Sequence, residues 1–146
     1  MPMQYRTLGS TGLNVSALGF GAMRLPTRKS APAGIDEPKA SRMLRWAIDN
    51  GVNYVDTAIH YHNAESERFL GRALKDGYRE RVLLATKLYP PYVKSPEDFD
   101  RLLNEQLSKL QTDHVDLYLA HGINRNWWPR IRDLGVMDWA RRAKAD

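Results

Sequence analysis

Residues 82–87, with the sequence VLLATK, form a short apolar run that ends on a lysine. Two other runs are built in the same way: YVD at 54–56 ends on an acid and leads to Tyr61, and VDLYLA at 115–120 is followed by His121. Parallel α/β enzymes place their chemistry at the carboxyl ends of the strands. The three runs therefore predict neighbouring strands whose ends bring an acid, a phenol, an amine and an imidazole to one rim.

Helical patterns separate these runs. The first follows Pro38, which suits the first turn of a helix, and it ends at the C-cap signal Asn-Gly at 50–51. In the second, Asn63 is predicted as the N-cap, acidic residues follow in the first turn, and Gly77 lies just past the end. A Ser-x-x-Asp capping signal at 95–98 opens the third. Amphipathic helices are thus expected on both sides of the VLLATK strand.

Strands and helices alternate along the whole chain. A first buried strand is predicted at 16–21, and a Trp-rich helical segment interrupted at Gly135 follows the last strand. Residues 1–15 predict an N-terminal hairpin, because their glycines supply the positive φ of a tight turn, and residues 26–36 predict a long loop. Four strands alternating with four helices predict one α/β domain over 1–146, with a parallel sheet that is doubly wound or curled into a barrel.

The composition is that of a globular domain. The 146 residues are 42% hydrophobic and 27% charged. No apolar stretch approaches the roughly 20 residues that cross a bilayer, and the first residues lack an apolar signal core, so no membrane partner and a cytoplasmic location are predicted. The sequence has no cysteine, which excludes disulfides, thiolate metal sites and iron–sulfur ligation.

The net charge of +5 raises the question of an anionic partner. Basic residues crowd toward the C-terminus around Trp127, Trp128 and Trp139, and basic residues mixed with aromatics can bind single-stranded nucleic acid. On a helix, however, the tryptophans are expected to face the core and the arginines the solvent. No recognised nucleic-acid motif accompanies the charge, so no nucleic-acid partner is predicted.

A doubly wound dinucleotide fold is the main rival to a barrel. Gly19-x-Gly21 after a strand is typical of its phosphate loop. The third glycine position is Arg24, and no helix opens there to hold a pyrophosphate. The two glycines are better explained by the close approach of a cofactor face or of a neighbouring backbone.

The residues at the strand ends suit the reduction of a carbonyl group. The loop after Asp56 can return Tyr61 to the same rim that Lys87 and His121 reach. A lysine cation beside a phenol favours the phenolate, an aspartate fixes the lysine, and an imidazole can orient the carbonyl oxygen. No side chain can donate a hydride, so such a site needs a reduced nicotinamide.

Other interpretations of the same residues remain open. Each residue alone has a structural explanation, such as a loop cap or a solvated strand end. His60-x-His62, with Asp56, Lys87 and His121 nearby, could serve a metal-dependent barrel hydrolase that holds zinc. A non-catalytic half-barrel used for binding or as a scaffold is a third possibility.

Several segments match a known family pattern: YRTLGSTGL at 5–13, VSALG at 15–19, DTAIHY at 56–61, LGRAL at 70–74, ATK at 85–87, and 110–116 leading to His121. By these segments the chain resembles the aldo/keto reductase superfamily over its full 146 residues. The resemblance implies a (β/α)8 barrel and a catalytic tetrad with Tyr61 as proton donor. The four members of this tetrad are Asp56, Tyr61, Lys87 and His121.

The resemblance also implies a cofactor and a substrate class. The cofactor is NADP(H) or NAD(H), and the substrate is a small aldehyde or ketone. Gly21, Ala22 and Met23, just after the first strand, and Asp56 are then expected to contact the nicotinamide side. The nearest relatives are expected among bacterial members with a C-terminal ferredoxin-like segment, which is absent from this sequence.

The predicted fold is half of a barrel. A complete barrel of this type takes roughly 250 residues, and this chain supplies four of its eight βα units. An open curl leaves unpaired groups on its first and last strands and exposes the apolar inside of the sheet. Two copies related by a two-fold axis could pair first strand with fourth and close an eight-stranded barrel. The alternative is a fragment of a longer chain.

Overall fold

The protein contains a parallel sheet of four strands. The computed structural model describes residues 2–28 and 34–145. The strands are β3 (Phe20–Gly21), β4 (Tyr54–Asp56), β5 (Leu83–Leu88) and β6 (Leu117–Ala120), in the order β3-β4-β5-β6. Each strand adds to the same side of the one before it, without the reversal of order that marks a doubly wound sheet. This topology is the one expected for a curl toward a barrel.

Before this sheet lies the short antiparallel hairpin of β1 (Tyr5–Thr7) and β2 (Asn14–Ser16). The Tyr5 hydroxyl donates a 2.8 Å hydrogen bond to the carbonyl of Gly51, which ties the hairpin to the chain just before β4. In the predicted loop at 26–36, Thr27 and Ile35 form an isolated antiparallel bridge, and residues 29–33 lie outside the described residues.

Helices connect the strands and cover one side of the sheet. They are α1 (Glu37–Asp49), α2 (Ser66–Ala73), α3 (Glu97–Leu110), α4 (Trp127–Asp133) and α5 (Val136–Ala145). Three single 3-10 turns, at Ala22–Arg24, Arg79–Arg81 and Pro90–Tyr92, complete the elements in the part of the chain that the structure describes. The first and last of these turns directly follow β3 and β5, at the rim where chemistry was predicted.

Local signals set both ends of α1 and the start of α3 as predicted, whereas α2 ends at Ala73, four residues before the predicted end signal Gly77. Asp36 accepts a hydrogen bond from the N–H of Lys39 at the start of α1, and Asn50 is its C-cap. At α3 the Asp98 carboxylate reaches back to the N–H groups of Lys94 and Ser95. The hydrogen bond from Lys94, then those from the Arg101 side chain and from Ser95, lower the pKa of Asp98 to about 2, because they stabilise its charged form.

The predicted N-cap of α2 was wrong. Asn63 and its two neighbours His62 and Ala64 all have left-handed backbone, with φ of 54°, 52° and 68°. A right-handed helix cannot begin on such residues. The helix therefore starts at Ser66, once the chain has left this loop.

The predicted first buried strand at 16–21 was also wrong in extent. Ser16 belongs to the hairpin, and only Phe20–Gly21 joins the parallel sheet. Leu18 is 64% exposed. Ser16 instead exchanges hydrogen bonds with Asn53, whose side-chain oxygen accepts from the Ser16 N–H at 2.7 Å. These side-chain contacts divert the backbone from the ladder before β3 begins.

The core falls into two clusters. One packs α1 and α2 against the early strands around Leu44, Val55 and Phe69. The other packs α3 and α5 against β5 and β6, where the Trp139 ring stacks on Phe99 at 5.3 Å. Trp139 is buried as expected of a core-facing tryptophan, but Trp128 is 37% exposed, so the prediction fails there. No helix in the described ranges is long and apolar enough to cross a membrane.

Candidate active site

The strand ends bring the predicted residues to one rim. Asp56 is the last residue of β4 and pairs in register with Gly21 of β3. Lys87 lies near the end of β5, and its register partner in β6 is Leu119. His121 continues the ladder past β6, because its N–H donates to the carbonyl of Leu88 at 2.8 Å. Side chains alternate along a strand, so Lys87, Leu119 and His121 face the same, inward side of the sheet.

Lys87 is the centre of the site. Its Nζ donates to Asp56 Oδ2 and to the carbonyl oxygen of Thr57, both at 2.7 Å. Its third neighbour is the hydroxyl oxygen of Tyr61, at 3.4 Å. The Lys87 side chain is 12% exposed and Tyr61 is 9% exposed, so the ammonium and the phenol meet largely out of water. An ion pair held in this way aims the lysine side chain at the phenol.

His121 completes the group of four. Its ring meets the Tyr61 ring edge-on, with centroids 5.9 Å apart and planes at 89°. Burial lowers the pKa of His121, the positive charges of His60 and Lys87 lower it further, and Asp56 opposes them. A lowered pKa leaves the ring neutral at pH 7. Within the described residues, its Nδ1 is buried without a hydrogen-bond partner, so the ring retains free hydrogen-bonding capacity.

Ser66, the first residue of α2, joins the ends of β3 and β4. Its hydroxyl contacts Thr57 Oγ1 at 2.9 Å and donates to the carbonyl of Ala22 at 3.0 Å. Thr57 is the residue whose carbonyl accepts from Lys87. The serine therefore positions one of the two oxygens that hold the lysine.

Glu67, the next residue, joins the helices to the outer face of β5. It is fully buried, and its Oε1 accepts hydrogen bonds from Thr86 Oγ1 at 2.7 Å and from Gln106 Nε2. The same Gln106 amide is 3.2 Å from the carbonyl of Lys87, and its oxygen accepts from Tyr118 at 2.6 Å. Burial, followed by the charge of Glu67, raises the pKa of Tyr118.

Sequence reasoning missed Ser66 and Gln106 as supports of the site and treated Glu67 only as a first-turn acid. Each is polar, yet each is fully buried, which polar residues rarely are without a partner. The sequence offers one signal, since Glu67 lies three residues before Leu70 and therefore on the same, apolar face of the helix. That pattern does not predict which strand or helix Glu67 bonds to.

The residues expected to face a nicotinamide fit such a group in part. A Cβ on Gly21 would meet no atom within 4 Å, so the space beside Asp56 is open. Met23 is 53% exposed, whereas the Ala22 side chain is fully buried. A flat ring could therefore lie against Gly21 and Met23, while Ala22 serves through its backbone.

The two histidines of the alternative metal site have other contacts. The Nε2 of His62 accepts a 2.9 Å hydrogen bond from the N–H of Leu25, so its lone pair is occupied. Burial lowers the pKa of His62, against a hydrogen bond to the Met23 backbone. His60 stacks on His121 instead of pointing beside His62. In residues 2–28 and 34–145 no group of three metal-binding side chains occurs, so the described geometry does not support a zinc hydrolase.

The sequence profile of the aldo/keto reductase family matches residues 17–137. The chain belongs to the aldo/keto reductase family. The match spans all four strands of the parallel sheet and therefore each of the four residues at the rim. Solved aldo/keto reductases are (β/α)8 barrels, and this chain forms the N-terminal four βα units of one. The predicted barrel and family are thereby confirmed.

Three similar aldo/keto reductases or oxidoreductases illustrate the match. The uncharacterized oxidoreductase YrpG of Bacillus subtilis is 38% identical over 88% of this chain and 43% of its own length. The holo form of aldo-keto reductase AKR11C1 from Bacillus halodurans is 38% identical, with a TM-score of 0.66 over 80% of this chain and 40% of that one. An aldo-keto reductase from Klebsiella pneumoniae in complex with NADPH is 30% identical, with a TM-score of 0.68 over 83% and 40%.

The chain therefore spans less than half the length of these relatives. Aldo/keto reductases use NAD(P)H as cofactor, as the NADPH complex illustrates. The cofactor predicted from the sequence is that of the family.

Proposed function

We propose that this chain carries the proton-donating half of an NAD(P)H-dependent reductase of aldehydes or ketones. The observation that carries the proposal is the contact set of Lys87, which holds Asp56 and Thr57 at 2.7 Å and reaches the Tyr61 hydroxyl at 3.4 Å. Carbonyl reduction adds a hydride to carbon and a proton to oxygen. When bound, a reduced nicotinamide supplies the hydride.

The chain's own residues handle the proton. Tyr61 gives its hydroxyl proton to the carbonyl oxygen as that oxygen gains negative charge. The Lys87 ammonium stabilises the phenolate left behind, since it stays within hydrogen-bond range of that oxygen. Asp56 keeps the ammonium in place, and neutral His121 donates a hydrogen bond that orients the carbonyl oxygen.

Gly21, Ala22, Met23 and Asp56 form the proposed contact with the nicotinamide side. The open space at Gly21 and its register position opposite Asp56 support this placement. The other residues that bind the cofactor have to come from outside these four βα units. We therefore expect turnover only when the open side of the barrel is covered.

A second copy of this chain is the partner we propose for that role. In the described part of the chain, β3 and β6 each bond to one neighbouring strand, and Leu119 on the inward face is 38% exposed. A two-fold axis along the barrel pairs β3 of one copy with β6 of the other, twice, and buries both edges. Sedimentation velocity at micromolar concentration tests this, since a well-folded monomer contradicts it. The cytoplasmic location stays a prediction from the sequence.

Tyr61→Phe tests the role of the phenol. The variant lacks the proton donor but keeps the ring, so carbonyl reduction with NADPH should fall by about 10²–10⁴-fold, the usual contribution of a general acid. Quenching of tryptophan fluorescence by NADPH should be retained. Tyr78→Phe is the matched control, because that hydroxyl contacts Asp49 away from the rim and its loss should leave reduction unchanged. Equal reduction by Tyr61→Phe and the unaltered chain contradicts the assignment.

A further inference from the structure

His60 is the rim residue that the proposed reaction leaves without a task. Its ring lies parallel to that of His121, with centroids 4.8 Å apart and planes at 12°. The same ring is 5.4 Å from the Tyr61 ring, which it meets edge-on, and 5.0 Å from the Tyr89 ring. His60 is exposed, whereas His121 behind it is half-buried. The imidazole of His60 thus covers one face of the His121 ring.

We propose that His60 is a positioning residue for His121, whose ring it holds edge-on to Tyr61 by stacking on its other face. This role rests on the proposed carbonyl reduction, in which His121 orients the carbonyl oxygen. Besides this stack, the His121 ring meets the Tyr61 ring edge-on at 5.9 Å and lies 6.1 Å from the Tyr89 ring. A substrate oxygen near the Tyr61 hydroxyl then meets a ring whose plane is already set.

Charge supports the same role. The titratable and charged groups that face His121 are His60 and Tyr61 from the loop after β4, Asp56 from β4, and Lys87 and Tyr89 from β5 and its extension. Two stacked imidazolium rings less than 5 Å apart repel each other, and the nearby Lys87 ammonium adds to this. Among the described residues only Asp56 favours a cationic His121, and that carboxylate is already paired with Lys87 at 2.7 Å.

The neutral form of His121 determines which side chain at the rim donates the proton. A cationic His121 would itself be an acid and would compete with Tyr61 as proton donor. It would also draw the Asp56 carboxylate away from the Lys87 ammonium. Because His60 disfavours a cationic His121, Tyr61 remains the proton donor and the ion pair of Asp56 with Lys87 stays intact.

The test is an NMR titration of the His121 ring in the full 146-residue chain, with the unaltered protein, His60→Phe and His60→Ala. Phenylalanine keeps a flat ring on His121 and removes only the two ring nitrogens, whereas alanine removes both the nitrogens and the cover. Burial is the largest cause of the lowered pKa of His121, and the charge of His60 comes second. The midpoint should therefore move upward in His60→Phe and further upward in His60→Ala. Contacts between the rings of His121 and Tyr61 should persist in His60→Phe and be lost in His60→Ala.

His114→Gln is the matched control, because that side chain is 63% exposed and bonded to Asp113, away from the rim. Its midpoint for His121 should equal that of the unaltered chain. A His121 midpoint that does not move in either His60 variant, with native circular dichroism, overturns the proposal. A moved midpoint upholds the effect of His60 on His121; if a dimer with its open side covered still shows no carbonyl reduction, the reductase function alone is rejected, so the two failures differ.

Discussion

Gly71→Ala probes the contact between α2 and α3 that supports the rim. A Cβ on Gly71 would lie 2.5 Å from the carbonyl oxygen of Lys109 and 2.8 Å from that of Leu110. The first distance is about 0.9 Å short of the 3.4 Å at which ordinary contact begins. Both atoms are backbone, so no flexible side chain can move aside and the two helices must separate.

Two effects of opposite sign decide the magnitude. Overpacking of this kind costs about 2–3 kcal/mol, and the better helix propensity of alanine returns about 1 kcal/mol. The free energy of unfolding should thus fall by about 1–2 kcal/mol, which at this chain length lowers Tm by about 2–8 °C. If helix propensity alone acted, the free energy of unfolding would rise instead of fall.

Thermal unfolding followed by circular dichroism measures this change. Ser108→Ala is the control, because Ser108 is exposed on α3 and its truncation should change stability by less than about 0.5 kcal/mol. The separation should also lengthen the hydrogen bond from Gln106 to Glu67, which joins the same two helices. A Tm for Gly71→Ala equal to or above that of the unaltered chain refutes the close approach.

The remaining predictions concern pH and association. Burial lowers the pKa of His62 and of His121 below the usual 6.5, so the unfolded chain binds more protons than the native one below about that pH. The midpoint of unfolding in urea should therefore be lower at pH 5.5 than at pH 7.5. Asp98, with a pKa of about 2, keeps its charge over this range and does not contribute to the difference. Equal midpoints at the two pH values contradict the lowered pKa of the two histidines. Leu119→Lys should shift the sedimenting species from dimer to monomer without loss of folding, because Leu119 is already 38% exposed in a single copy. The control is Met43→Lys, at a residue that is 45% exposed on α1, and this variant should remain a dimer. A Leu119→Lys variant that is still a dimer contradicts closure of the barrel by two copies.

Local pattern predicted much of the fold. The apolar runs at 82–87 and 115–120 became β5 and β6, and the helix interrupted at Gly135 became α4 and α5. Strand and helix periodicities are properties of neighbouring residues, so they can be recognised without the fold. The beginning of α2 could not be recognised in this way, because the left-handed residues before it belong to a loop that packs Tyr61 against the strand ends.

The candidate site divides in the same way. Four strand-end residues were predicted together because parallel strands end on one edge, whatever lies between them. The hydrogen bonds of Ser66, Glu67 and Gln106 join residues up to 44 positions apart, and no short segment encodes such contacts. The roles of these residues in a reaction remain predictions.

The amino-acid sequence by itself determined the family, the order of strands and helices, and which four side chains meet at the rim. Only the tertiary structure decided that Lys87 lies between Asp56 and Tyr61, that His60 stacks on His121 and that His62 is engaged by Leu25. The physical reason is range. Periodicity and capping depend on residues within a few positions, whereas burial and ring stacking depend on which distant segments the packed core brings into contact.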